Sequence, residues 1–79
     1  MDRYYFDLRD AEGVLVDEEG VELKDVAAAQ DEAARSLADL ARDSLRKSDG
    51  GLTEMAIEVR TDDGPLMHVK FSFEIERKN

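Results

Sequence analysis

Five carboxylates crowd into the ten residues VDEEGVELKD: Asp17, Glu18, Glu19, Glu22 and Asp25. Oxygen donors ahead of a glycine, as in DEEG, are what a hard cation such as calcium or magnesium would require. The alternating Asp/Asn pattern and closing glutamate of an EF-hand loop are missing, however. Turns also collect acids and glycines for conformational reasons alone, and a helix N-terminus favours negative charge. The stretch therefore reads first as punctuation between a strand and a helix, with weak divalent-cation binding over residues 17–25 as the alternative. Glu18 and Glu19 are the two whose charge local structure does not explain.

The remaining chemistry is thinner. His68 is the only histidine, on a strand beside Lys70. A histidine can act as acid or base near neutrality, but an exposed, passive one is the simpler account. Ser72 shares its face, yet four strand residues separate the two by about 13 Å, beyond hydrogen-bond reach. Ser36, Ser44 and Ser48 fall in a helical stretch with no histidine partner. Gly13, Gly20, Gly50, Gly51 and Gly64 are turn residues that never form a phosphate-loop pattern. With twenty acids, paired carboxylates of glycosidase type carry no information. The absence of cysteine excludes disulfides, thiolate zinc sites and thiol nucleophiles. The expectation is a chain with no catalytic residue, no cofactor and no resident metal.

Seventy-nine residues make one small domain, residues 1–79, with room for a thin core that buries only about 60% of its unfolded surface. The composition is globular, with 42% hydrophobic and 39% charged residues. The formal charge is −9, concentrated in the first 25 residues, where nine acids face three bases. A field of that sign repels phosphate backbones, which argues against nucleic acid and anionic membranes and leaves basic proteins or cations unopposed. The opening MDRYYFDLRD lacks the apolar core of a signal peptide, and no apolar run approaches the ~20 residues of a membrane span. The cytoplasm is the expected location.

Periodicity supplies the elements. From Arg3 to Arg9, Tyr4, Phe6 and Leu8 alternate with Tyr5, Asp7 and Arg9, as a half-buried strand does. DAEG turns the chain into a short second strand at residues 14–17, with Val14 and Val16 inward. Asp25 caps a helix whose stripe is Val26, Ala29, Ala33, Leu37, Leu40, Ala41 and Ser44. Asp31–Arg35 and Asp43–Lys47 are spaced to pair along that helix. The DGG at 49–51 ends it, with Gly50 or Gly51 as the left-handed cap. A second hairpin follows, Met55, Ile57 and Val59 against Met67, Val69, Phe71, Phe73 and Ile75, around TDDG. The fold class is α+β: a ββαββ two-layer sandwich, with a four-stranded, mainly antiparallel sheet and one helix across one face.

If Arg60 pairs with Pro65, Thr53 lies opposite Ser72 and the last strand overruns its partner. Phe73 and Ile75 would then need the helix end, the first strand or another copy to cover them. The second sheet face, with Tyr5, Leu15, Ala56, Leu66 and His68, has no helix over it. That face or a strand edge is where homodimerisation is expected.

With MDRYYFDLRD, VDEEGVELKD and AAAQDEAARSLADLARD in view, the chain resembles a family of short alphaproteobacterial proteins known only as a domain of unknown function. The pattern maps onto Arg3, Tyr4, Tyr5, Phe6 and Asp7, then Asp17 and Gly20, then Glu22, Leu23 and Asp25. The resemblance runs nearly end to end, with Asp2 where that family often has proline and a longer, more charged last strand. It implies kinship and supplies no activity or catalytic residue. A looser, fold-level similarity is to HicB-type antitoxins, which also order a hairpin, an acidic connection and an alanine-rich helix. These 79 residues carry neither the usual DNA-binding extension nor the basic surface of those antitoxins, so DNA binding of that kind is not expected of them.

The sequence thus reads as a small, acidic, non-enzymatic protein-interaction module that self-associates as a homodimer, its protein partner unknown. The residues expected at its contact surfaces are Tyr5, Glu18, Glu19, Leu66, His68, Phe73 and Ile75. An antitoxin-like neutralisation of a basic toxin is the alternative.

Overall fold

The computed structural model describes residues 1–47 and 51–78. In chain order the elements are β1 (Asp2–Asp10), β2 (Gly13–Leu15), β3 (Val21–Leu23), α1 (Val26–Lys47), β4 (Gly51–Thr61) and β5 (Gly64–Ile75). The strands form one antiparallel sheet ordered β2-β1-β4-β5, with β3 also paired to β1. The α+β sandwich expected from periodicity is therefore present, with five strands in place of four. The fifth arises because the edge beside β1 is split. β2 pairs with Leu8–Asp10 and β3 with Asp2–Tyr4, and residues 16–20 loop out between them.

The two-residue turn Ala11–Glu12 fixes the β1–β2 register, setting Leu8 opposite Leu15 and Arg9 opposite Val14. Paired residues share a face, so Leu15 lies on the helix side and Val14 on the other. That reverses the expectation of Val14 inward and Leu15 on the second face. Leu15, Val14 and Val16 are all exposed, because the helix does not reach this corner of the sheet.

Helix α1 crosses the sheet over β4, β5 and β3. Its stripe buries Ala29, Ala33, Leu37 and Ala41 against Tyr4, Met55, Ile57 and Val59. Three alanines on the contact face let the helix approach closely, and together with Leu37 they make the thin core that a chain of this length allows. Val26, expected in the stripe, is exposed at the helix start. Asp25 caps that start: its Oδ1 accepts from the Ala28 N–H at 2.8 Å, and its carbonyl from the Ala29 N–H at 3.2 Å. Arg35 meets Asp31 at 2.9 Å, whereas Asp43 pairs with Arg46 at 3.1 Å rather than with Lys47. Of the expected DGG cap, Asp49 and Gly50 lie outside the described residues, and Gly51 begins β4.

Arg60 does pair with Pro65, but the ladder then slips, and Val59 pairs with Met67. Leu66 is the extra residue of a β-bulge, which sets Thr53 opposite Phe73 rather than Ser72. The overhang expected of β5 past β4 is therefore gone; instead, the far half of the β4–β5 hairpin runs beyond β1. Phe71 and Phe73 meet there on the helix side, their rings tilted by 50° with centroids 5.6 Å apart.

Candidate functional site

The split in the edge strand explains the acidic stretch. Between β3 and β2, the Phe6 N–H of β1 has no strand residue to bond. Asp17 supplies the acceptor: its Oδ2 takes the Phe6 N–H at 3.1 Å. Its Oδ1 accepts from the N–H groups of Glu19 (3.2 Å) and Gly20 (3.1 Å), closing the loop as an Asx turn. Gly20 completes it with φ +73, a left-handed conformation that strongly favours glycine here. A Cβ at that position would lie 2.9 Å from Arg3 Cγ and 3.0 Å from both Tyr4 O and Tyr5 Cδ2.

A second clasp holds the loop from below. The Asp17 N–H donates to Asp7 Oδ1 at 2.9 Å, and the Asp17 carbonyl accepts from Arg60 Nη2 at 2.9 Å. Arg60 Nε also donates to Asp7 Oδ2 at 2.8 Å, and its guanidinium stacks 4.5 Å over the Tyr5 ring. The Tyr5 hydroxyl donates to Asp62 at 3.4 Å, and Arg3 Nη1 to the Glu19 carbonyl at 2.7 Å. Register makes this possible, because Tyr5 and Arg60 are directly opposite on β1 and β4.

These contacts favour the charged forms of Asp7, Asp17 and Arg60. Burial pushes the Asp17 carboxyl up, but the Gly20, Phe6 and Glu19 N–H donors and nearby Arg60 outweigh it and hold the carboxyl below its ordinary value. Asp7 is held low in the same way: burial opposes ionisation, and Arg60 with the Asp17 N–H overcomes it. The hydrogen bond that Arg60 donates to Asp7 keeps its guanidinium even more firmly protonated. A group serving as acid or base at neutral pH needs a pKa near 7, and these move away from it. Among the described residues, no three Asp, Glu or His side chains converge as a metal would require. The carboxylate of Asp17 is already spent on backbone donors, which leaves Glu18 and Glu19 as its only free neighbours in the loop.

Beside that loop lies an open depression of ≈ 700 Å³ lined by Phe6, Leu8, Leu15 and Val16 together with Asp17, Glu18 and Glu19. Leu15 is 70% and Val16 55% exposed. Among the described residues, neither Glu18 nor Glu19 forms a side-chain ion pair. The result is an apolar floor with an unneutralised acidic rim, held in place by the Asp7–Arg60–Asp17 clasp beneath it.

The residues expected at contact surfaces do not converge. Glu18 and Glu19 form the rim; Tyr5 lies on the other face of β1, under Arg60. That second face is a lattice of charge, with Arg9–Glu58 in contact and Lys70–Glu54 at 3.6 Å. His68 lies in it, opposite Glu58. Leu66 occupies the bulge near the helix start, in a recess with Tyr4 and Val26. Phe73 and Ile75 are at the far end of β5, in a molecule 53 Å long. Sequence reasoning missed the clasp because Asp7 and Arg60 are 53 residues apart, and only the β1–β4 pairing joins them. It placed Phe6 and Leu8 on one side of a half-buried strand but did not foresee that Leu15 and Val16 would join them in an open depression.

No helix among the described residues is long and apolar enough to cross a membrane. A family profile described as Domain of unknown function (DUF6894) matches residues 3–72. Searches of curated proteins and of solved structures found no match.

Proposed function

We propose that this chain, which belongs to the DUF6894 family of unknown function, is a non-enzymatic interaction module that self-associates and receives a protein segment carrying apolar residues beside lysine or arginine. The observation that carries the reading is the depression at the split edge, where exposed Leu15 and Val16 lie against Glu18 and Glu19. Exposed aliphatic surface rimmed by uncompensated charge favours a partner that covers the one and neutralises the other. The net charge of −9 steers cationic partners toward the chain from a distance. The clasp holds the loop in position before any partner arrives, so little ordering entropy opposes binding.

An antitoxin-like role is a narrower form of the same reading, with the cationic segment belonging to a small basic toxin. It is favoured only by the free Glu18 and Glu19 on the rim.

Fluorescence anisotropy with a labelled peptide of alternating lysine and valine tests the proposal. The expected result is saturable binding that weakens several-fold in an E18Q/E19Q variant and in L15S. An alternating glutamate and valine peptide is expected not to bind. Equal binding by both peptides, or binding unaffected by these substitutions, overturns the proposal.

A further inference from the structure

Strand β5 is the outermost of the sheet, bonded along its inner side to β4 from Gly64 opposite Thr61 to Ile75 opposite Gly51. No strand among the described residues pairs with its outer side. A long open edge invites another strand, and proteins usually defend it with proline, bulges, short strands or charge. The opposite edge of this sheet is defended, being split into two three-residue strands around an acidic loop. On β5 the proline and the bulge are confined to Pro65 and Leu66, and pairing from Met67 to Ile75 is regular. The remaining defence is the charge of Lys70 and Glu74, which opposes a second strand only if that strand sets like charge against them.

A second copy can set opposite charge there. In a two-fold antiparallel pair, residues opposite each other share a face, so the axis must pass through a residue paired with its own copy. An axis at Lys70 sets the two lysines against each other, and one at Val69 sets His68 against Lys70. An axis at Phe71 leaves Lys70 opposite a serine. With the axis at Ser72, Lys70 meets Glu74 twice and His68 meets Glu76 twice on the outer face. On the helix face the same register sets Phe71 against Phe73 and Val69 against Ile75, aromatic and aliphatic cross-strand pairs that stabilise sheets.

A second observation lies on the same edge. Between α1 and β5 runs an apolar trough of ≈ 320 Å³ lined by residues that include Ala38, Ala41, Leu45, Val69 and Phe71. Leu45 is 44% and Ile75 38% exposed in the single chain. Pairing about Ser72 puts both helices on one side of a continuous sheet and brings Phe73 and Ile75 of the second copy alongside this trough.

From these features we infer that two copies of the chain join through the outer edges of β5, antiparallel about a two-fold axis at Ser72. This dimer gives the self-association in the proposed function a surface, and it rests on that reading.

The natural chain has no cysteine, so a single Ser72→Cys substitution tests the register directly. Residues paired across antiparallel strands have Cα atoms about 4.5–5.5 Å apart, within disulfide range. S72C is expected to form a disulfide-linked dimer under mild oxidation. H68C, on the same strand and face, is expected not to, because the two copies of position 68 would be about 26 Å apart. Light scattering on the unmodified chain, up to several hundred micromolar, supplies the companion measurement. It is done in physiological salt, where a Debye length of about 8 Å screens the repulsion between two acidic chains. A concentration-dependent dimer is expected. K70E is expected to weaken it about ten-fold or more, and K70E/E74K to restore it. A strict monomer throughout this range overturns self-association itself. A dimer in which S72C links no faster than H68C overturns the β5 pairing while leaving self-association intact.

Discussion

Replacing Asp17 with alanine removes the acceptor that closes the split edge. Three backbone N–H groups then lose a charged partner, those of Phe6 at 3.1 Å, Gly20 at 3.1 Å and Glu19 at 3.2 Å. A hydrogen bond to a charged group contributes about 1.5–3 kcal/mol net when buried. The Glu19 donor is exposed and regains water, whereas the Phe6 and Gly20 donors are partly buried and regain less. The expected loss is therefore about 2–4 kcal/mol. A chain of 79 residues has roughly 4–12 kcal/mol of stability in total, so this is a large fraction. D17N keeps one oxygen for the Glu19 and Gly20 donors and should lose about half as much. Urea denaturation followed by circular dichroism reads the difference, and amide exchange at Phe6 locates it. If D17A unfolds within about 0.5 kcal/mol of the unmodified chain, with Phe6 protection unchanged, Asp17 does not hold the edge.

Arg60→Gln removes the cation over Asp7, whose side chain is only 17% exposed; an NMR titration should find the Asp7 carboxyl moved up from its depressed value, and an unmoved one would deny the clasp. Gly20→Ala forces a Cβ into Arg3, Tyr4 and Tyr5 at an unfavourable φ and should cost about 2 kcal/mol in urea denaturation. Asp25→Ala removes the helix cap and should cost about 1 kcal/mol, read from a thermal melt. Asp7 and Asp17 both ionise more readily folded than unfolded, so their contribution is full above the unfolded carboxylate value of about 3.9 and is lost as pH falls through the lower folded values. Urea stability should therefore drop between about pH 4 and 2, and D17N should show a shallower drop across the same range.

The elements were legible where one residue type dictates local geometry. Alternation in RYYFDLR and MAIEV, the three- and four-residue spacing of Ala29, Ala33, Leu37 and Ala41, and the Asp25 cap all depend on neighbours a few positions away. What was not legible depends on pairing across long separations. Nothing local makes β1 an interior strand, and that placement alone brings Arg60 to Asp7 and Tyr5. The bulge at Leu66 is a one-residue slip that periodicity cannot see, because residues on either side of it still alternate. Leu15 illustrates the same limit, since a two-residue turn reversed its face while the apolar pattern around it stayed the same. The acidic stretch was half legible. Its role as punctuation is correct, but the largest part belongs to Asp17, whose partner is the backbone of a strand eleven residues earlier.

The depression beside that loop is where the cationic segment is expected to dock, and mapping amide shifts by NMR while titrating the lysine–valine peptide locates the contact. Shifts are expected to concentrate at Phe6, Leu8 and residues 15–19, at a position separate from the β5 edge. Shifts scattered over the acidic surface as a whole, or confined to the charged face around His68 and Glu58, would contradict docking there.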